Sequence, residues 1–262
     1  MAVVDSDVGQ SSIGPPATIG AARLARPLAS LLDAEMEVGY FVGSTTPVGH
    51  LLPMVVGVER LASRMAVGCD VVLIDTTGMV HGGVARALKL YKADAVRPRL
   101  TILLERGGEL EWLFRQLGAM GLEAKRVPAS PWVRARDRGD RRMLRERAFQ
   151  AHFKRRGVIE ASLELSKAPL VGGLLGTGRR LSSEEAEAKL GVKVAYCEEH
   201  PEGLAVVVED PRDLARLRGV SGVVKALKRG FEEGLLAGLL DEEGFLLEVA
   251  VVKKLDLGRG VA

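Results

Sequence analysis

The chain has 262 residues, 47% of them hydrophobic and 27% charged, enough for one large or two modest apolar cores and unlike a disordered tail. Its formal net charge of +3 by itself says little about nucleic acid, and no apolar run approaches the roughly 20 residues that span a bilayer. The start, MAVVDSD, lacks the basic stretch of a signal peptide, and Cys69 and Cys197 stand far apart without a CxxC pair, so both read as free thiols in a reducing cytoplasm.

Residues 2–5 form a short apolar run ending in acid, the pattern of a buried strand, and the Gly-, Ser- and Pro-rich residues 9–16 read as a loop. Residues 37–43 predict a second strand, with STTP as the turn after it. Apolar residues at helical spacing (Leu51, Val55, Val58, Leu61, Met65) predict a helix over 48–66. Residues 70–75 give the clearest pattern of a buried strand in the chain, followed directly by TTG. A helix over 84–91, a strand over 99–104 and a helix over 109–120 continue the alternation. Short apolar strands alternating with amphipathic helices predict an α/β fold: a parallel sheet with flanking helices and right-handed crossovers.

The character changes near Gly157. Strands are expected over 160–165, 205–209, 234–240 and 245–252, with a helix over 182–190. The expected organisation is a first domain over residues 1–156 and a smaller β-rich C-terminal domain over 157–262.

In a parallel α/β sheet, ligands sit beyond the carboxyl ends of the strands. Three polar clusters fall there: DSDVGQ (residues 5–10), GSTTP (43–47) and DTTG (75–78). A strand-end Asp can hold a Mg²⁺-bound water or accept a proton from an attacking hydroxyl, and glycine lets backbone approach a phosphate. One such cluster reads as a turn as readily as a site. Three on one edge point to a site. No GxxxxGK[ST] string occurs; GLLGTGRR (173–180) has related glycines but Arg-Arg in place of Lys-Ser/Thr, and reads as a turn before the 182–190 helix. Arginines 134, 136, 138, 141, 142, 145 and 147 crowd one segment, and Arg138, Arg141, Arg142 and Arg145 share a helical face. Arginine suits bidentate phosphate contacts, so this segment reads as a phosphate-facing lid, with a solvated helix offset by Asp137, Asp140 and Glu146 as the other reading. Trp112 reads as core. Trp132 reads equally as a base-stacking or a packed residue.

The order DSDVGQSSIGPP, FVGSTTP, VVLIDTTGMVHGGVARALK, a strand ending LLER and an arginine-rich segment running into Phe153 resembles the polynucleotide 5′-hydroxyl kinases, in particular their archaeal members. The resemblance is strongest over residues 2–153 and looser through LVGGLLGTGRRL and GLLAGLLDEEGF. It implies a P-loop NTPase-like sheet and magnesium-dependent transfer of the γ-phosphate of ATP (or GTP) to a 5′-OH end of RNA or DNA, in cytoplasmic RNA processing without a membrane. By the same resemblance Asp7 activates the 5′-hydroxyl and, with Asp75, organises Mg²⁺. Gln10, Asp75, Thr76 and Gly78 lie near the nucleotide's phosphates. Thr45 and Thr46 close over the substrate end, and Arg141, Arg142 and Arg145 act from the lid, with Arg134 and Arg136 toward the polynucleotide.

Two departures accompany the resemblance. Met79 stands where many eukaryotic members carry a base-stacking Trp. The family's first strand, phosphate-binding loop and first helix, which precede the DVGQ strand, have no counterpart in these residues. The chain is therefore expected to turn over little 5′-OH RNA by itself, and its sheet to carry an open edge through which it could associate. A non-catalytic RNA-binding or scaffold relative is the alternative. A GTPase-like regulator ranks last, because LLERGGEL follows the strand where a guanine-reading NKxD would belong.

Overall fold

The structure is a computed structural model that describes residues 1–133 and 136–262. It divides into two compact units, residues 1–158 with 238–249, and residues 159–237 with 250–262.

The first unit begins with β1 (Ala2–Ser6), five residues buried without exception. Side chains alternate across a strand, so Ala2 and Val4 point into one apolar cluster while Val3 points into another with Ile13 and Ala22. The loop after β1 leads to β2 (Thr18–Arg23), and β3 (Val38–Phe41) follows. Helix α1 (Leu51–Ala66) sets Met54, Val58, Leu61 and Met65 on one stripe against β1, and Pro53 is tolerated in its first turn. Truncating a side chain such as Leu61, fully buried in that stripe, is expected to cost about 2–5 kcal/mol.

Next come β4 (Val72–Thr76), α2 (Gly82–Val96), β5 (Thr101–Glu105), α3 (Glu111–Ala119) and β6 (Ala124–Pro128). Helix α4 (Arg138–Arg156) closes the run; Asp137 and Asp140 form its capping box. Two ties fix the far end of α4 within this unit: His152 Nε2 lies 2.8 Å from Glu248, and Arg155 donates to Glu35 at 3.0 Å.

The second unit carries β7 (Arg179–Arg180), α5 (Ser183–Leu190), β8 (Val194–His200), β9 (Gly203–Val208), α6 (Asp213–Leu217) and β10 (Val223–Lys228). Its sheet has the order β10-β9-β8-β7. The chain then forms β11 (Leu236–Leu240) and β12 (Leu246–Val251), which extend the first sheet to the order β11-β12-β3-β2-β1-β4.

That first sheet is mixed. β1 runs parallel to β4, but β2 lies antiparallel to both β1 and β3. β2 carries a weak strand signature, because Thr18 and Ile19 are followed by Gly20, Ala21 and Ala22, which are depleted in strands. The expected strand at 160–165 is absent; Glu164 makes only an isolated bridge with Val261. β4, expected as a buried strand, ends the sheet instead: only one edge is paired, and Leu73 is 49% exposed. β5 and β6 pair in parallel as a separate two-stranded sheet, with Ile102 and Leu104 exposed and Leu103 packed beneath α3. A parallel strand is buried only when both faces and both edges are covered, and β4 and β5 each leave an edge open.

Candidate active site at the strand ends

β1 and β4 end level with one another, Asp5 opposite Asp75 and Ser6 opposite Thr76. The two aspartates of DSDVGQ have different surroundings. Asp5 is 1% exposed and accepts N–H bonds from Asp7, Ser12 and Ile13, which folds the loop back over the end of its own strand. Burial raises its pKa against the pull of those bonds. Asp5 is therefore a loop staple. Asp7 accepts from Gly9 and Gln10 at 3.0 and 3.1 Å through Oδ1 alone, which leaves Oδ2 without a hydrogen bond among the described residues.

Gly9 brings the second cluster in. A Cβ there would lie 2.9 Å from the carbonyl oxygen of Thr45, so only glycine lets the GSTTP loop approach DVGQ this closely. Thr46 uses its hydroxyl to accept from Val48 N at 3.3 Å, whereas the Thr45 hydroxyl makes no hydrogen bond among the described residues.

The third cluster meets the first through hydroxyls. Ser6 Oγ donates to the Asp75 carbonyl at 2.7 Å, tying the two strand ends together. Asp75 Oδ1 accepts from Thr76 N at 2.8 Å. Burial and the nearby charge of Asp7 raise the Asp75 pKa, while the Thr76 N–H, Lys89 and Lys92 lower it. Gly78 lies exposed at the tip of this turn.

Two lysines that the sequence reading passed over complete the group. Lys89 Nζ donates to Thr76 Oγ1 at 3.0 Å and to the Thr77 carbonyl at 2.6 Å. Lys92 Nζ donates to Ser6 Oγ at 2.9 Å and is 6% exposed. Helical side chains lean toward the helix N-terminus, which carries both ammonium groups from the body of α2 up to the strand ends. Burial lowers both pKa values, that of Lys92 to about 7 with further repulsion from Lys89, partly offset by Asp7, Asp75 and Asp5. A signal existed: Ala85, Leu88 and Lys92 share the buried stripe of α2, and a lysine there needs polar company.

The arginine segment reaches the same place. Arg136 Nη1 donates to Gln10 Oε1 at 3.2 Å, and Gln10 Nε2 donates to the Arg141 carbonyl at 3.3 Å. Arg141 turns its Nε onto the Asp137 carbonyl, and Arg142 pairs with Glu146 at 2.8 Å. Arg145 forms no ion pair among the described residues. Arg134 lies outside the described residues. Trp132 is 89% exposed and so is not a packed residue, while Trp112 is half-buried beneath Arg86.

Among the described residues Asp7 and Asp75 each leave one carboxylate oxygen without a hydrogen bond, the donor chemistry that would suit Mg²⁺. Mg²⁺ takes one or two carboxylates and fills its octahedron with water and phosphate oxygens. No group of three or more His, Cys, Asp or Glu forms an all-protein cage among the described residues.

The glycine-rich string of the second unit is arranged differently. Gly176 N and Gly178 N donate to the two oxygens of Glu198 at 2.7 and 3.1 Å, and the Tyr196 hydroxyl donates to the same carboxylate. Glu198 is 1% exposed, and His200 Nε2 lies 3.2 Å from it without hydrogen-bonding geometry. A Cβ on Gly178 would fall 2.6 Å from His200 Cε1, so the glycine serves close packing. This loop wraps a buried carboxylate, in keeping with its reading as a turn.

Residues 1–155 match the family described as mRNA cleavage and polyadenylation factor CLP1 P-loop. The chain belongs to that family. Its relatives include a protein of Pyrococcus furiosus named polyribonucleotide 5′-hydroxyl-kinase PF0112, 33% identical over 98% of this chain and 72% of that protein. The identically named kinase PH0197 of Pyrococcus horikoshii is 33% identical over 99% of this chain and 71% of its own length. MJ1315 of Methanocaldococcus jannaschii, also so named, is 25% identical over 98% and 70%. A solved Clp1p–Pcf11p complex is a looser likeness, with TM-score 0.45 and 13% identity over 63% of this chain and 46% of that one. The expected α/β kinase fold and family both stand. No helix among the described residues is long and apolar enough to cross a membrane.

Proposed function

We propose that this chain transfers the γ-phosphate of ATP (or GTP) to the 5′-hydroxyl of RNA, or of DNA, in cytoplasmic RNA processing. The observation that carries the reading is the free Asp7 Oδ2 at the end of β1, beside Asp75 and two lysines and under an arginine segment joined to Gln10. In this scheme Asp7 takes the proton of the 5′-OH. The freed oxygen forms a bond to the γ-phosphorus as the bond from that phosphorus to the β–γ bridging oxygen breaks, releasing the nucleoside diphosphate. Asp75 would hold Mg²⁺ directly and Asp7 through a bound water, and the ion when bound neutralises charge on the phosphate oxygens. Thr76 and Gly78 sit at the turn facing the phosphates, and Thr45 and Thr46 at the loop beside the acceptor end. Arg136 and Arg141, tied through Gln10, bring the lid to the polynucleotide, while Arg142 and Arg145 add positive charge along α4. Arg134 belongs to the same proposal from the sequence alone.

The second reading is an RNA-binding relative without catalysis, favoured by the arginine segment that Gln10 ties to the strand ends. Incubation with γ-labelled ATP·Mg²⁺ and matched oligoribonucleotides separates the two. Label on the 5′-OH oligonucleotide and none on its 5′-phosphorylated twin supports the kinase. Tight RNA binding with no label supports the scaffold.

A further inference from the structure

Between α2 and α3 lies a cleft of about 580 Å³, within the range of small-ligand sites, lined by Arg86, Leu90, Glu111, Trp112, Arg115 and Gln116. Arg86 and Leu90 stand one turn apart on α2 and form one wall; Lys89, beside them on the same helix, reaches Thr76 with its Nζ. Both helices begin where parallel strands end, α2 after β4 and α3 after β5. Arg86 lies in the second turn of α2 and Trp112 in the first turn of α3, so the cleft opens toward the edge of the unit that carries Asp7 and Asp75.

The charges of the cleft do not cancel. Glu111 gives one oxygen to Arg115 at 2.7 Å and the other to Arg126 at 2.5 Å. Arg86 makes no hydrogen bond or ion pair among the described residues; its guanidinium lies 4.8 Å from the centroid of the Trp112 ring, a weak tie for an exposed cation. Trp112 packs on the apolar cluster of Leu113 and Leu117 but stays half-buried. Neither its indole N–H nor the Gln116 side-chain amide is hydrogen-bonded among the described residues. The cleft therefore offers an aromatic face, a planar cation and free donors, while its carboxylate is already neutralised. A nucleotide matches that set, since a base stacks on aromatic or guanidinium planes and arginine pairs with phosphate. We propose that Arg86 and Trp112 hold a nucleotide of single-stranded RNA downstream of its 5′ end, with the base against Trp112, Arg86 on its phosphate and Gln116 at the base edge. That this strand is the acceptor of phosphoryl transfer rests on the kinase reading; the chemistry of the cleft does not.

The test uses the full chain carrying W132F, so that Trp112 alone reports, titrated with a 5′-OH oligoribonucleotide of about ten nucleotides, a usual site size for single-strand binders. Trp112 fluorescence should be quenched on binding. R86A should weaken binding about tenfold, the order of effect of one lost contact residue. R86K should recover part of that loss, and K125M, on exposed β6, should change nothing. In label transfer R86A should raise KM for the oligonucleotide and leave kcat as it is. As a check that needs no variant, an oligoribonucleotide carrying 5-iodouridine should crosslink under ultraviolet light to the wild-type peptide that contains Trp112, identified by mass spectrometry. Unquenched Trp112, an unchanged R86A, or crosslinks confined to Trp132 and α4 would overturn the proposal. Quenching and crosslinking at Trp112 in a chain that never labels RNA would sink the kinase reading and leave the cleft standing. Label transfer with the same KM in wild type and R86A would do the reverse.

Discussion

The DVGQ loop of the first unit and the LLGTGRR loop of the second are both glycine-rich turns folded around carboxylates, and they differ in what the carboxylate has left over. Glu198 gives both oxygens to Gly176 and Gly178, takes the Tyr196 hydroxyl as well, and is sealed from solvent. In DVGQ the work is divided: Asp5 does the folding, and Asp7 keeps an oxygen free at the edge of solvent. Glycine content therefore says little about a site. The free donors and acceptors that remain after the loop has satisfied itself decide it.

Opposite outcomes are expected at the two carboxylates. D7N keeps an Oδ1 that accepts from Gly9 and Gln10 but removes the base, so turnover should fall about 1000-fold, within the range for a lost general base, while stability changes by less than about 0.5 kcal/mol. Unchanged kcat would remove Asp7 from the chemistry. E198A should do the converse, leaving two glycine amides and a phenol unsatisfied at a cost of about 3 kcal/mol in urea unfolding, with hydrogen-exchange protection lost at Gly176 and Gly178. A loss under about 1 kcal/mol would show that the second loop does not depend on its carboxylate.

Charge at the first site provides two finer tests. R141A/R145A should weaken RNA binding about tenfold and lower the salt slope by about one to two, since each lost phosphate contact releases fewer counterions. An unchanged slope would return α4 to a solvated helix. The other test concerns Lys92, whose pKa in the folded chain is lowered by burial from 10.5 to about 7. Between those values the unfolded chain holds a proton that the folded chain has released, so stability rises with pH across that window, by up to about 1.4 kcal/mol per pH unit. K92M should flatten the rise. A rise of the same steepness in K92M would assign it to other groups.

The three clusters of the candidate site were legible in the sequence because strand-end motifs are local: DVGQ, GSTTP and DTTG each needed only a strand before a polar turn, and Gly9 lets the first two approach. What escaped was decided by distant partners. β8 (VAYCEEH) does not read as a buried strand, since nothing local announces that Glu198 will be enclosed by a loop some twenty residues earlier. The recruitment of β12 to β3, far away in the chain, is likewise set by packing and not by pattern. Lys92 was visible as a charge on an apolar stripe, but its meaning depended on Ser6 in another strand.

The most direct test of the account is label transfer from γ-labelled ATP·Mg²⁺ to a 5′-OH oligoribonucleotide, comparing wild type with D7N. The account predicts incorporation by wild type, confined to 5′-OH ends and absent in D7N. Incorporation no greater than that of D7N, in a chain that still binds the RNA, would contradict it.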